Sequence, residues 1–236
     1  MYKGKKILGI ITARGGSKGI PRKNIKELCG KPLIAYTTEA AEASKYLTRY
    51  IVSTDDSEIA EISRRYGADV PFMRPPELAQ DKSTSLEVIQ HALRKLKDDF
   101  GEEYDYAMIL QPTSPLRTST DIDACVVLAV DNDADSVMSM VVVQDFHPQK
   151  IKKIKEGRIL PYFPDDSEKN YSLRRQDQEL AYRRNCAVYL TKTSCLLAGD
   201  MFGVTSFAYV MPEERSLDIN ELVDFELSEF WMKRSR

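Results

Sequence analysis

Short apolar runs, each ending in a polar loop and giving way to helical periodicity, leave this 236-residue chain few possible architectures. The run Ile7-Leu8-Gly9-Ile10-Ile11-Thr12 is apolar almost throughout, the mark of a strand covered on both faces. Tyr50–Thr54, Tyr106–Leu110 and Ser136–Val143 repeat the pattern, with helical stretches between them. One of these runs from about Leu33 to Ser44. A second opens where Asp55 stands three residues before Glu58, a capping-box spacing, and closes at Gly67. Thr84 and Glu87 form another such box, ahead of Leu86, Ile89, Leu93 and Leu96 at helical spacing, with His91 as a structural histidine in that helix. Ile122, Cys125, Val126 and Ala129 mark a further helix, and Val70–Met73 a short extended piece. Strands alternating with helices imply right-handed crossovers, hence a mainly parallel sheet with helices on both faces. Ligands of such sheets sit outside the carboxyl ends of the strands, so the loops beginning at Arg14, Asp55 and Gln111 are expected to converge on one cleft.

Composition narrows the functions. Lys plus Arg number 34 and Asp plus Glu 36, a near-neutral sum that gives no support to nucleic-acid binding. Any anionic ligand must be met by locally clustered cations. The four cysteines show no C-x-x-C pair, which fits neither a disulfide framework nor a zinc knuckle and points to a reducing cytoplasm. Two histidines argue against a histidine-rich metal site and a Ser-His-Asp triad. The basic start followed by Ile7–Ala13 superficially resembles a secretory leader. However, the apolar stretch has only seven residues and runs into Arg14 with no cleavage site. No stretch approaches the roughly 18 apolar residues of a membrane span, so a soluble protein away from membranes is expected.

From Gln144 to Arg184 the alternation breaks into a charged, turn-rich stretch. The interleaved Ile151, Ile154, Ile159, Tyr162 and Phe163 suggest extended pairing, and thus an ordered arm rather than a linker. Strand character returns at Ala187–Leu190 and Phe207–Val210. A last helix from about Glu221 is expected to bury Leu222, Phe225, Leu227 and Trp231.

Three loops could carry chemistry. Ala13-Arg14-Gly15-Gly16-Ser17-Lys18-Gly19-Ile20-Pro21-Arg22-Lys23-Asn24 places glycines and four cations directly after a buried strand. Backbone N–H groups in such a turn form an anion-binding concavity, and Arg14 and Lys18 add charge-assisted hydrogen bonds. The loop fits neither the Walker A spacing nor the dinucleotide G-x-G-x-x-G, and phosphate binding is favoured over a solvated turn. Leu110-Gln111-Pro112-Thr113-Ser114-Pro115-Leu116-Arg117 is a stiff loop in which Gln111 can meet a base edge as donor and acceptor. A plain strand-to-helix turn explains the same residues equally well. In Ser216-Leu217-Asp218-Ile219-Asn220-Glu221, Asp218 and Asn220 share a side if the segment is extended, and one or two such oxygens plus substrate phosphates can hold Mg²⁺. On residue types alone, the N-cap of the last helix is the preferred reading.

Six strings then fall in one order: A-R-G-G-S-K-G-I-P-R-K-N, G-K-P-L-I-A-Y-T, V-S-T-D, R-P-P-E-L-A, L-Q-P-T-S-P-L-R and S-L-D-I-N. Together they resemble the acylneuraminate cytidylyltransferases (CMP-sialic acid synthetases) over nearly the whole chain. The resemblance implies a Rossmann-like three-layer α/β/α nucleotidyltransferase fold in a single domain, 1–236, with an arm at about 144–184 serving dimerisation. The implied reaction moves CMP from CTP onto a nine-carbon 2-keto sugar acid, with Mg²⁺ (or Mn²⁺ in its place) and release of pyrophosphate. By that likeness Arg14, Gly15, Ser17 and Lys18 contact the triphosphate. Asn24, Arg74, Ser83, Ser85 and Gln111 surround the cytidine. Lys150, Arg175 and Arg183 supply cations for the sugar carboxylate or phosphates, with Asn185, Tyr189 and Gln111 toward the sugar. Arg14, Lys18 and Asp218 carry the catalytic roles, and Asp218 with Asn220 the metal. Two positions depart from the family: Asp218-Ile219-Asn220 replaces D-x-D, and Asn185-Cys186-Ala187-Val188-Tyr189 has Cys186 where glycine is usual. Relatives act on legionaminic or pseudaminic acid, and some related proteins use GTP with an amino-sugar phosphate. The alternatives are therefore another nucleotidyltransferase, such as a GTP-dependent sugar phosphate guanylyltransferase, or a non-catalytic nucleotide-binding subunit. Arg14, Lys18, Gln111 and Asp218 together argue against the last.

Overall fold

The computed structural model describes residues 1–17, 19–143, 147–163 and 179–234. Lys18, Arg175 and much of the arm therefore lie outside the described residues. The elements run β1 (Ile7–Thr12), β2 (Glu27–Leu28), β3 (Lys31–Pro32), α1 (Leu33–Glu42), β4 (Arg49–Ser53), α2 (Ser57–Arg65), α3 (Ser85–Phe100), β5 (Tyr106–Leu110), α4 (Ser119–Asp131), β6 (Ser136–Val142), β7 (Lys152–Lys155), β8 (Arg158–Pro161), β9 (Tyr182–Lys192), α5 (Thr193–Leu197), β10 (Ser206–Val210) and α6 (Leu222–Arg234). Among the described residues the main sheet has six strands in the order β10-β6-β9-β5-β1-β4. All neighbours pair in parallel except β9, which lies antiparallel to both β5 and β6.

The apolar runs behave as their composition demands. Odd residues of β1 (Ile7, Ile11) face one cluster with Ile34, Ala41, Ile59, Ile122, Cys125 and Val126, from α1, α2 and α4. Even residues (Leu8, Ile10) face another with Ile89, Ala92, Leu93 and Leu96 from α3, and Leu196 from α5. The protein is thus a three-layer α/β/α arrangement of Rossmann-like type. No helix among the described residues is long and apolar enough to cross a membrane.

The boundaries hold with local shifts. Asp56, not Asp55, caps α2, its side chain accepting from Ile59 N at 2.9 Å. Thr84 and Glu87 complete the capping box of α3, which Gly101 ends in the left-handed conformation. The extended piece at Val70–Met73 reduces to a single bridge, Ile51 to Asp69. In the arm, β7 and β8 pair antiparallel around Glu156 and Gly157, both at positive φ, so the expected extended pairing is present as a hairpin.

α6 overturns one expectation. Only Phe225 and Ser228 are buried along it, whereas Leu222 is 56%, Leu227 43% and Trp231 37% exposed. The helix meets the body by one narrow stripe, Phe225 and Met232 packing on Ile20, Leu28, Leu33 and Ile219. Asp224 reaches back to accept from the backbone N–H groups of Asn220 and Glu221 at 2.8 Å each. The cap is therefore made from inside the helix, and Asp218 and Asn220 are released from it.

Candidate active site

The site forms where the carboxyl ends of β1, β4 and β5 meet the Ser216–Asn220 segment. The loop after β1 is braced by side chains: Asn24 Nδ2 donates to the Arg14 carbonyl at 2.9 Å, and Asp55 Oδ1 accepts from Gly15 N at 3.0 Å. That second bond commits one N–H of the expected anion concavity to protein. A Cβ on Gly15 would lie 2.6 Å from Asp56 Oδ2, and one on Gly19 2.6 Å from the Asn220 carbonyl oxygen. Gly16 has nothing within 4 Å of its Cβ position. The loop and the C-terminal segment thus touch, an arrangement reinforced by Lys23 Nζ donating to the Ile219 carbonyl at 2.8 Å.

Three hollows adjoin along this rim. The first is lined by Arg14, Ser17, Lys23, Asn24, Gln111 and Asn220. The second shares Arg14 and adds Arg74, Asp81, Ser83, Thr84 and Ser85. The third shares Ser85 and Gln111 and adds Arg184, Tyr189, Met201 and Phe202. Arg14 and Gln111 are thus the hinges of one curved cleft.

Its cations are held differently. Arg14 pairs with Asp81 at 3.0 Å, both well exposed, a contact of the order of 0–1 kcal/mol that an incoming anion can displace. Arg74 is buried, its Nε donating to Ser53 Oγ at 3.1 Å and its Nη2 to the Ser53 carbonyl, and burial pushes its pKa down to about 10. Burial also lowers the Lys23 pKa, while the nearby Asp218 charge opposes the shift. Asp218 Oδ2 accepts from Asn220 Nδ2 at 3.0 Å, whereas its Oδ1 is buried with no hydrogen-bond partner among the described residues.

Of the expected residues, Arg14, Ser17, Asn24, Arg74, Ser83, Ser85, Gln111, Tyr189 and Asn220 line these hollows, while Gly15 and Asp218 line none of them but adjoin Arg14 and Asn220; Lys18 and Arg175 lie outside the described residues. Three do not join them. Lys150 and Arg183 are exposed and line none of the three hollows. Asn185 is fully buried, its amide bonded to Ser139, Ser216, Met211 and the Ala187 N–H, so it faces the interior rather than the cleft. The reason lies in β9: its register against β6 shifts between Met138 and Met140, and Cys186 takes a φ of 65°. This bulge brings Arg184 to the same hollow as Tyr189, with its guanidinium 5.7 Å from the Phe202 ring centroid.

Sequence reasoning passed over Lys23, Arg184 and Arg117. Arg117 is buried and donates from Nη1 to the carbonyls of Gln111 (3.1 Å) and Ala187 (2.8 Å), pinning the end of β5 to β9.

The family model for cytidylyltransferases matches residues 8–197. The chain belongs to the cytidylyltransferase family. It is 39% identical over 224 residues to the N-acylneuraminate cytidylyltransferase of Escherichia coli O18:K1:H7, covering 94% of this chain but 51% of that protein, so it spans about half its length. It is 33% identical over 229 residues to the pseudaminic acid cytidylyltransferase of Campylobacter jejuni, 97% of each chain, and 32% identical over 236 residues to that organism's CMP-N,N'-diacetyllegionaminic acid synthase, 95% of this chain and 94% of that one. Among solved structures, CMP:2-keto-3-deoxy-manno-octonic acid synthetase complexed with CTP superposes with a TM-score of 0.71 at 16% identity, covering 98% of this chain and 100% of that one. At that identity the likeness establishes the fold. Asp218 and Asn220 lie beyond residues 8–197, the span of the family match; Asn220 lines the first hollow and hydrogen-bonds Asp218 beside it.

Proposed function

We propose that this cytidylyltransferase transfers CMP from CTP to the anomeric hydroxyl of a nine-carbon 2-keto sugar acid of the sialic, legionaminic or pseudaminic type, releasing pyrophosphate. The observation that carries the reading is the continuity of the three hollows through Arg14 and Gln111, which gives a nucleotide, its triphosphate and an acceptor one path. Cytidine belongs in the hollow of Arg74, Ser83 and Ser85, with Gln111 at its edge. The triphosphate follows Arg14, Ser17 and Lys23, with Lys18 in the same loop. The acceptor lies against Gln111 and Tyr189, its carboxylate toward Arg184 and its apolar substituent toward Met201 and Phe202.

Phosphoryl transfer asks the protein mainly to position reactants and stabilise charge. Gln111 and Tyr189 orient the anomeric hydroxyl toward the α-phosphorus. As the new oxygen–phosphorus bond forms, the bond to the β-phosphate oxygen breaks and its electron pair leaves with pyrophosphate. Arg14 and Lys23 offset that charge. Neither histidine lines these hollows, and the hydroxyl proton goes to the Asp218 carboxylate through Oδ2, the oxygen beside Asn220 of the first hollow. The same carboxylate fits a divalent cation: its Oδ1, buried with no partner among the described residues, and the Asn220 amide oxygen are too few ligands for a cage and suit an ion shared with substrate phosphates. Bound there, Mg²⁺ or Mn²⁺ would draw charge from those phosphates.

We further read the chain as a single catalytic domain that works as a homodimer in the cytoplasm. The β7–β8 hairpin supports the dimer, because it exposes Ile154 by 76% and Ile159 by 70%. Lys150 and Arg183 would serve the site of a second copy, and four unpaired thiols suit a reducing compartment. The test is pyrophosphate release with CTP, Mg²⁺ and a panel of nonulosonic acids. Release only with GTP and a sugar phosphate, or none despite CTP binding, overturns the proposal.

A further inference from the structure

The segment that carries Asp218 has no regular structure between the 3-10 turn at Glu213–Arg215 and α6, so side-chain ties must fix it. Arg215 donates to Asp121 from Nε (3.2 Å) and Nη2 (2.7 Å), and Ile219 N donates to the Thr113 carbonyl at 2.8 Å. The third tie lies wholly inside. Asn185 Nδ2 donates to Ser216 Oγ at 2.9 Å, and Ser216 Oγ donates to the Pro212 carbonyl at 2.7 Å. Asn185 Oδ1 in turn accepts from Ser139 Oγ at 2.5 Å, while Ser139 Oγ accepts from Val188 N at 2.8 Å. Asn185, Ser139 and Ser216 are all buried, and every donor and acceptor of the Asn185 side chain is used.

This network joins two parts of the cleft. Asn185 precedes Cys186 in the bulge that also presents Tyr189 to the acceptor hollow, and Ser216 stands two residues before Asp218. We infer that Asn185 is a positioning residue: through Ser216 it holds the Asp218 carboxylate in place for the divalent cation, and so ties the acceptor wall to the metal side of the cleft. The inference rests on the reading of Asp218 as the ion's ligand. A buried amide is suited to this task because losing one partner strands the other in a site without water, which makes the tie directional and stiff.

The test uses the full chain with CTP and no acceptor, and measures Mn²⁺ affinity by electron paramagnetic resonance for wild type, Ser216→Ala, Asn185→Ser, their double variant and Asp218→Asn. Partners that orient a metal ligand are worth about 10- to 100-fold in metal affinity, so Ser216→Ala is expected to raise the Mn²⁺ Kd at least tenfold. CTP binding in EDTA should stay unchanged, and Ser216→Thr should restore the affinity. The double variant is expected to be no weaker than the poorer single one, because both remove the same bond. If Asp218→Asn loses Mn²⁺ while Ser216→Ala does not, the positioning role is refuted and the ligand reading stands. If Asp218→Asn binds Mn²⁺ as wild type does, the ligand reading itself fails. Ser216→Ala decides the matter alone should Asn185→Ser not fold.

Discussion

Gly15, Gly16 and Gly19 share one loop but answer to different neighbours. Gly15 is crowded by the Asp56 side chain, which the Arg22 guanidinium anchors at 2.5 and 3.0 Å, and Gly19 by backbone at Asn220. A Cβ on Gly16 would meet open space among the described residues. Gly19→Ala is therefore expected to lower the Tm, because a backbone carbonyl must move. Gly16→Ala should leave the Tm unchanged and raise the KM for CTP, which thermal melting and steady-state kinetics would separate. Among the described residues the Arg14 guanidinium pairs with exposed Asp81, a weak contact, so Arg14→Ala should cost little stability. A charge-assisted bond of about 1.5–3 kcal/mol corresponds to a loss in kcat/KM on the order of 10- to 100-fold. Near-normal kinetics would remove Arg14 from the site. At this scale the residues that the sequence singles out in the loops lie along the hollows, and those within β9 divide between hollow, surface and interior. Simple alternation places Arg183, Asn185 and Tyr189 on one face, but the bulge at Cys186 breaks that parity and substitutes Arg184.

Among the elements, α4 does more than cover the sheet. Asp121, at the third position of its capping box, accepts from Thr118 N (2.9 Å), Tyr209 OH (3.0 Å) and the Arg215 fork. Burial opposes ionisation of Asp121, but the Arg215 and Thr118 hydrogen bonds outweigh it and hold the pKa below its usual 3.8. A carboxyl lowered on folding adds stability that is complete above the unfolded value and lost as pH falls through the folded one. The Tm should therefore drop on acidification below about pH 4, and Asp121→Asn should flatten that part of the curve. Equal slopes in the two proteins would count against the tie. Strand and helix positions were legible because burial on both faces and 3.6-residue periodicity are local properties. The reversed direction of β9 was not, since an apolar run reads the same both ways. Nor was the buried side of α6, where apolar residues occupy both faces and only Phe225 and Met232 find a partner layer.

For the whole molecule, the exposed Ile154 and Ile159 of the arm hairpin argue for association. Replacing both with lysine should turn the sedimenting species into a monomer without altering the Tm of the central sheet. If wild type itself sediments as a fully active monomer, the dimer is excluded. The family resemblance implies a dimer through the arm, and the arm's mixed apolar and basic composition is the sequence feature that fits such an interface. The bond from Lys23 to Ile219 closes a span of 196 residues, and Gly19 leans on Asn220 beside it. Residue 219 must therefore leave the ribosome before the loop after β1 acquires its opposite wall, so that loop stays open on one side for as long as the intervening chain is being made.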